Sequence, residues 1–113
     1  MDDCLFCKII KGEIPSTKMY EDEDMLIFKD IDPKAKRHYL CIPKMHFKTL
    51  AEMNDRQSEQ LIKCLKKIPA LTKELGLENG YRLVINQGDD AGQTVFHLHI
   101  HILAGQKMGW TPA

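Results

Sequence analysis

The chain has 113 residues, the length of a single domain, and so few residues leave a small core that association into a dimer would enlarge. Its 16 basic and 16 acidic side chains give a formal net charge of zero, so there is no electrostatic case for general nucleic-acid binding. A hydrophobic fraction of 43% is typical of a soluble globular protein, and no apolar run is long enough to span a membrane. Residues 1–4 lack the features of a signal peptide, so we expect a cytoplasmic location with no membrane partner.

The N-terminal part of the chain predicts a short helix followed by three strands. The apolar helical turn runs from Leu5 to Ile10 and is stopped by Lys11 and Gly12. The three strands are predicted over Lys18–Glu21, Met25–Lys29 and His38–Ile42.

A long helix is predicted after Asn54, which suits the N-cap position with Gln57 at the third helical residue. Apolar residues then recur at helical spacing from Leu61, and we expect the helix to reach about Gly76. Pro69 interrupts this stretch and should kink the helix there, because proline lacks the backbone donor.

The C-terminal part predicts two strands in a hairpin. The first covers Tyr81–Asn86, residues 87–92 form the connection, and the second carries three histidines and ends at Ala104. Neighbouring strands joined without helices indicate antiparallel pairing. We therefore predict an α+β domain with a five-stranded, mostly antiparallel sheet, one long helix and one short helix.

Three of the five histidines fall at alternate positions, His97, His99 and His101, between apolar neighbours. On a strand they share one face at roughly 7 Å spacing. The apolar residues between them then line the other face, which disfavours a chance cluster on a solvated surface. Three imidazoles suit either a metal site or a histidine nucleophile with helpers.

The segment before the histidines carries neutral hydrogen-bond donors. Asn86, Thr94 and the backbone around Gly92 suit phosphate oxygens, although taken alone the segment is also an ordinary turn. The chain has no P-loop and no acidic magnesium cluster, which disfavours a kinase or a metal-dependent nuclease.

The four cysteines are expected to be reduced or to bind metal. Cys41 and Cys64 fit a strand and a helix as small core or surface residues. Cys4 and Cys7 have the spacing of half a zinc knuckle, and redox chemistry, metal binding and coincidence remain open for them.

The segment Gly92–His101, GQTVFHLHIH, resembles the signature of the histidine triad (HIT) family. Further segments resemble the Hint branch of that family, namely residues 6–10, 13–15, 28–31, 38–44, 80–86 and 108–110. The resemblance implies one HIT domain over residues 1–113. It also implies a homodimer whose two sheets join into a continuous ten-stranded sheet.

The resemblance implies hydrolysis of purine nucleoside phosphoramidates such as adenosine 5′-monophosphoramidate. His99 would attack the α-phosphorus and form a nucleotidyl-histidine, without a catalytic metal. The implied catalytic residues are His99, His101, His97, His38 and Thr94. The Hint branch usually has serine where this chain has Thr94, so substrate preference could differ.

The resemblance also implies a purine nucleotide (AMP or GMP class) as the bound partner. Asp30 would accept the ribose hydroxyls, and phosphate or leaving-group contacts would come from Asn86, Gly92, Gln93 and Thr94. The implied nucleobase pocket consists of Leu5, Phe6, Ile9, Ile14, Phe28 and Ile31.

Bacterial-type relatives with a Cys-x-x-Cys segment bind zinc, and the matching ligands here are Cys4, Cys7, His46 and His97. A complete Cys₂His₂ set implies a structural rather than a catalytic Zn²⁺. Three alternatives to the phosphoramidase stay open: a dinucleoside polyphosphate hydrolase, a nucleotide-binding regulatory or scaffold protein with incidental hydrolysis, and a catalytic zinc enzyme.

Overall fold

Five antiparallel strands form one sheet in the computed structural model, which describes residues 3–110. The strand order is β1-β2-β3-β5-β4, and every pair of neighbours is antiparallel. The elements are α1 (Leu5–Ile10), β1 (Lys18–Glu21), β2 (Met25–Lys29), β3 (Arg37–Pro43), α2 (Asp55–Ala70), α3 (Thr72–Leu75), β4 (Tyr81–Val84) and β5 (Ile100–Ala104). The α+β prediction with one sheet of five strands is confirmed.

The two faces of the sheet carry different cores. The larger core packs α2 against one face and contains Leu98, Ile100 and Ile102, all without exposed surface. The smaller core packs α1 against the other face around Phe6 and Phe28. The predicted alternation of the histidine segment is thereby confirmed for its apolar residues.

The N-terminus of α2 forms as predicted. The Asn54 side chain accepts from the Gln57 backbone N–H at 2.9 Å, and the Gln57 side chain accepts from the Asn54 N–H at 2.9 Å. This capping box satisfies two of the N–H groups that the start of a helix leaves without partners.

The predicted single long helix is divided into two, and the division comes at Leu71 rather than at Pro69. Pro69 lies inside α2, and the break comes at Leu71, where φ is −107° and ψ is 17°. The Leu71 N–H donates to the Ile68 carbonyl three residues back, which tightens the last turn and ends α2 before α3 starts.

The histidine strand is shorter than predicted. Strand β5 begins at Ile100, and β4 ends at Val84 rather than Asn86. The Leu98 N–H donates to the Phe47 carbonyl at 2.8 Å instead of joining the strand ladder. Residues 97–99 therefore lean toward the 43–47 segment while keeping their alternation. Within residues 3–110, no helix is long and apolar enough to cross a membrane.

We expect Asn54→Ala to lower the free energy of unfolding by about 1 kcal/mol, because the start of α2 loses the side-chain acceptor of its cap. Urea denaturation measures this change. Thr49→Ala is the matched control, since Thr49 precedes the short helical turn Leu50–Glu52 without a side-chain cap bond. Equal stabilities of the two variants would contradict the assignment.

Candidate active site and metal centre

The three alternate histidines divide between two neighbourhoods. His99 and His101 lie together, with ring centroids 5.1 Å apart, closer than the spacing predicted for a regular strand. His97 has no exposed surface and faces the N-terminal cysteines. The three rings share the α1 face of the sheet, as predicted, because Phe6 of α1 packs against His97 and His99 while the alternate residues Leu98, Ile100 and Ile102 lie in the core on the other face.

Backbone contacts decide which ring nitrogen of His97 is protonated. The Nε2–H donates to the Pro43 carbonyl oxygen at 2.7 Å, which leaves Nδ1 with its lone pair. This nitrogen lies 3.6 Å from Cys4 Sγ, 3.6 Å from Cys7 Sγ and 3.3 Å from His46 Nδ1. Cys7 Sγ is 3.4 Å from His46 Nδ1.

These separations are four of the six edges of a tetrahedron, and all four donor atoms lie within 4.8 Å of one another. Zinc bonds of about 2.3 Å to sulfur and about 2.05 Å to nitrogen place two nitrogens about 3.3 Å apart, and sulfur and nitrogen about 3.5 Å apart. The observed nitrogen–nitrogen distance is 3.3 Å and the sulfur–nitrogen distances are 3.4–3.6 Å. The four predicted ligands thus fit one tetrahedral cation.

The electrostatics of the four side chains favour a cation. Burial raises the pKa of the Cys7 thiol to about 11 and lowers the pKa of His97 to about 4. Burial thus disfavours both a bare Cys7 thiolate and a protonated His97 ring, and a metal ion would stabilise the thiolate form. The His97 ring is buried, with Nε2 bonded to the Pro43 carbonyl and Nδ1 facing the other three ligands, and its predicted catalytic role stays a prediction.

His99 is fixed by the backbone of His97. Its Nδ1–H donates to the His97 carbonyl oxygen at 2.8 Å, so the neutral ring carries its lone pair on Nε2. The Phe6 ring packs edge-on against it at 5.1 Å. Burial lowers the pKa of His99, with the His97 bond and Asp30 opposing the shift, which favours the neutral form of the ring.

One chain of hydrogen bonds, which starts at the Lys34 backbone, sets the tautomers of His38 and His101. The Lys34 backbone N–H donates to His38 Nδ1 at 3.0 Å, so the neutral His38 ring carries its proton on Nε2. His38 Nε2–H then donates to His101 Nδ1 at 2.8 Å. His101 is left with its proton on Nε2, and burial, first among the causes, lowers its pKa to about 4.

The Asp30 carboxylate lies beside His38. One carboxylate oxygen lies 3.4 Å from His38 Nε2, and the other accepts from the Asp32 N–H at 2.8 Å. Asp30, Asn86, His38 and His101 line a depression of about 330 Å³. The sequence-predicted ribose acceptor and phosphate donor are thus brought together beside the two histidines.

The loop before the histidines is held by Gln93, which was predicted to bind nucleotide. Its buried side chain donates to the Lys48 carbonyl at 2.8 Å and accepts from the Gly88 N–H at 2.9 Å. Its backbone N–H donates to the Gly88 carbonyl. Gln93 therefore shapes the loop, whereas Gly92 and Thr94 are exposed on it.

The predicted nucleobase residues differ in exposure. Phe6, Ile9 and Phe28 are buried in the smaller core, with Ile14 partly buried against it. Leu5 is 43% exposed, and Ile31 is fully exposed. The two exposed side chains are open to a ligand, and the buried ones form the layer beneath.

Two groups that fix the histidines were not predicted. The Lys34 N–H sets the tautomer of His38, and the Pro43 carbonyl sets that of His97. Both act through the backbone, so the residue type gives no signal. The Lys34 N–H reaches His38 through the turn four residues before it, whereas only the packing of β3 beside the histidine segment brings the Pro43 carbonyl to His97.

A search of protein-family models matches the HIT domain over residues 11–108. Protein HitA of Neisseria gonorrhoeae is 48% identical over 103 residues, covering 91% of this chain and 96% of that protein. The 14 kDa zinc-binding protein of Zea mays is 47% identical over 110 residues, covering 96% and 86%. The crystal structure of a HIT family hydrolase from Legionella pneumophila has a TM-score of 0.92 at 47% identity, covering 98% and 100%.

The family model spans most of the chain, and each of these relatives matches it over most of its own length. The chain therefore belongs to the HIT domain family.

Proposed function

We propose that this protein hydrolyses purine nucleoside phosphoramidates, the adenosine 5′-monophosphoramidate class, with His99 as nucleophile. The observation that carries the proposal is the bond from His99 Nδ1–H to the His97 carbonyl, which leaves a lone pair on Nε2 of a neutral, buried ring. His101, 5.1 Å away, supplies a proton on its own Nε2. The hydrolase name of the Legionella relative supports the reaction class.

In the proposed reaction, His99 Nε2 attacks the α-phosphorus and the P–N bond breaks. The amine leaves with the bonding electron pair and is protonated as it departs. The phosphorylated ring then carries a positive charge, and the His97 carbonyl stabilises it through the Nδ1–H. His101 Nε2–H donates to a phosphoryl oxygen. Water then displaces His99 from phosphorus, which releases the nucleotide.

The substrate would lie across the depression beside His101. Asp30 accepts the ribose hydroxyls, while Asn86 and the backbone at Gly92 bind phosphate oxygens. Thr94 offers a hydroxyl to the leaving amine. Gln93 contributes by holding the loop. The purine would contact Leu5 and Ile31 above the layer formed by Phe6, Ile9, Ile14 and Phe28.

We further propose that Cys4, Cys7, His46 and His97 hold a structural Zn²⁺, as the tetrahedral donor distances and the Zea mays relative suggest. When bound, the ion stabilises the thiolates and ties α1 to residues 43–47 and to His97. Because the His97 backbone orients His99, the same tie preserves the nucleophile's position.

A homodimer is proposed from the edge strand β4. Tyr81 and Leu83 are each 36% exposed on it and face the α2 side of the sheet, where Ile62 and Leu65 of α2 are also exposed. An unpaired edge beside apolar side chains favours pairing with a second copy. Antiparallel pairing of two β4 strands would give the ten-stranded sheet.

His99→Ala should abolish hydrolysis of adenosine 5′-monophosphoramidate by at least about 10³-fold, because the nucleophile is removed. Mass spectrometry of acid-quenched wild-type protein should show an AMP adduct on the peptide containing His99, and the variant should show none. Lys66→Ala is the control: it truncates an exposed side chain of α2, which packs on the other face of the sheet, and should keep the adduct. Turnover of dinucleoside polyphosphates but not of the phosphoramidate would replace the proposed substrate class.

The acid limb of the kcat/KM profile should be centred below pH 6.5, the ordinary pKa of a histidine. Burial lowers the pKa of both His99 and His101, that of His101 to about 4, so protonation inactivates these rings only at lower pH. The Asp30 carboxylate raises both values, so Asp30→Asn should move the acid limb to still lower pH, whatever its effect on KM. A limb centred at 6.5 in both proteins would contradict the electrostatic argument.

Zinc analysis should find one ion per chain, and Cys7→Ser should remove it. With free zinc at a hundred times Kd, binding contributes about 2.7 kcal/mol, so chelation should lower Tm by about 10 °C. Cys64→Ala is the control, because this buried cysteine lies outside the cluster and its variant should lose stability but keep zinc. An unchanged Tm after chelation of zinc-loaded protein would count against a structural ion.

A further inference from the structure

We propose that Gln87 is a positioning residue of the active site, which holds Asn86 in place relative to His99. The inference rests on the proposed function, in which Asn86 binds a phosphate oxygen and His99 attacks the phosphorus. Gln87 is not among the residues that line the depression, so it acts through Asn86 rather than on the substrate itself.

The Gln87 side chain joins two parts of the chain that are distant in sequence. Its Oε1 accepts from the Leu50 backbone N–H at 2.8 Å, and its Nε2–H donates to the Asn86 carbonyl at 3.0 Å. The first bond spans 37 residues, and the second closes a short ring with the adjacent peptide. The backbone at Asn86 is thereby tied to the turn that begins at Leu50.

Asn86 depends on these bonds because it lies beyond the strand ladder. The pairing of β4 with β5 ends at Val84 and His101. Outside the helices and strands of residues 3–110, no backbone hydrogen bond involves Asn86 or Gln87. Asn86 nevertheless lines the depression together with His101. Its place there is not set by the ladder, and the Gln87 side chain supplies the missing constraint.

Residues 43–50 also hold the histidines, because the Pro43 carbonyl accepts from His97 Nε2–H at 2.7 Å. The His97 carbonyl then accepts from His99 Nδ1–H at 2.8 Å. The nucleophile and the phosphate-binding amide of Asn86 are thus both attached to one segment of the chain. This common attachment sets the distance between a bound phosphate and His99, on which the rate of attack depends steeply.

Two glutamines hold the loop 87–93 to this segment, and their burial differs. The Gln93 side chain donates to the Lys48 carbonyl at 2.8 Å and is buried, whereas Gln87 is half-buried. Replacement of Gln87 therefore removes little packing. Its effect on the reaction can be measured apart from an effect on folding.

The test measures kcat and KM of the zinc-loaded protein for adenosine 5′-monophosphoramidate in Gln87→Met, which keeps the side-chain length and loses both bonds. We expect kcat to fall about fivefold, the usual effect of one neutral hydrogen bond. KM should stay within about twofold, because the ribose and base contacts that bind the ground state remain. Gln57→Met is the matched control: it removes an exposed side-chain acceptor of a backbone N–H at the start of α2, and should lower stability without lowering kcat.

A ¹⁵N NMR titration with AMP tests the same contact without turnover. AMP should shift the Asn86 side-chain amide in the wild type and in Gln57→Met, and Gln87→Met should at least halve that shift. Hydrogen exchange of the Leu50 amide should also be faster in Gln87→Met than in the wild type, because its acceptor is gone.

Failure of the wild type to hydrolyse the phosphoramidate would count against the proposed function, and the AMP titration would then decide the role of Gln87 alone. With an active wild type, an unchanged kcat in Gln87→Met or an equal loss of kcat in Gln57→Met would overturn the proposal. An Asn86 shift that is absent from the wild type, or that Gln87→Met leaves unchanged, would overturn it in either case.

Discussion

The arrangement of the site depends on the backbone at His97. The ring of this residue is fixed from two sides, by the Pro43 carbonyl at Nε2 and by the cysteine and histidine ligands facing Nδ1. Its carbonyl oxygen holds the ring of His99. One residue thus connects the four metal-ligating side chains to His99, and the tautomers of both rings follow from hydrogen bonds to backbone oxygens.

Backbone hydrogen bonding also sets the tautomers of His38 and His101. A backbone N–H at Lys34 sets His38, and His38 sets His101. The two chains of hydrogen bonds leave a lone pair on Nε2 of His99 and a proton on Nε2 of the neighbouring His101. In the proposed reaction, the lone pair attacks phosphorus and the proton is donated to a phosphoryl oxygen. Burial keeps both rings neutral, which lets this pattern persist near neutral pH.

The two faces of the sheet have different roles in this arrangement. The α2 face buries the larger apolar core and gives the sheet its stability. The α1 face carries His38 and His101, with Phe6 of α1 against His99 and His97.

The sequence by itself determined the elements whose signals are local. Alternating apolar residues predicted the strands, Asn54 and Gln57 predicted the start of α2, and the spacing of Cys4 and Cys7 predicted half of a metal site. Tertiary structure decided how the His97 ring is held beside the cysteines, by the Pro43 carbonyl, and how Gln93 is held in its loop, by the Lys48 carbonyl. These two outcomes depend on backbone groups from distant parts of the chain, whereas the break at Leu71 follows from a backbone bond within the last turn of α2. Every residue type carries the same backbone groups, so residue identity alone does not encode such contacts.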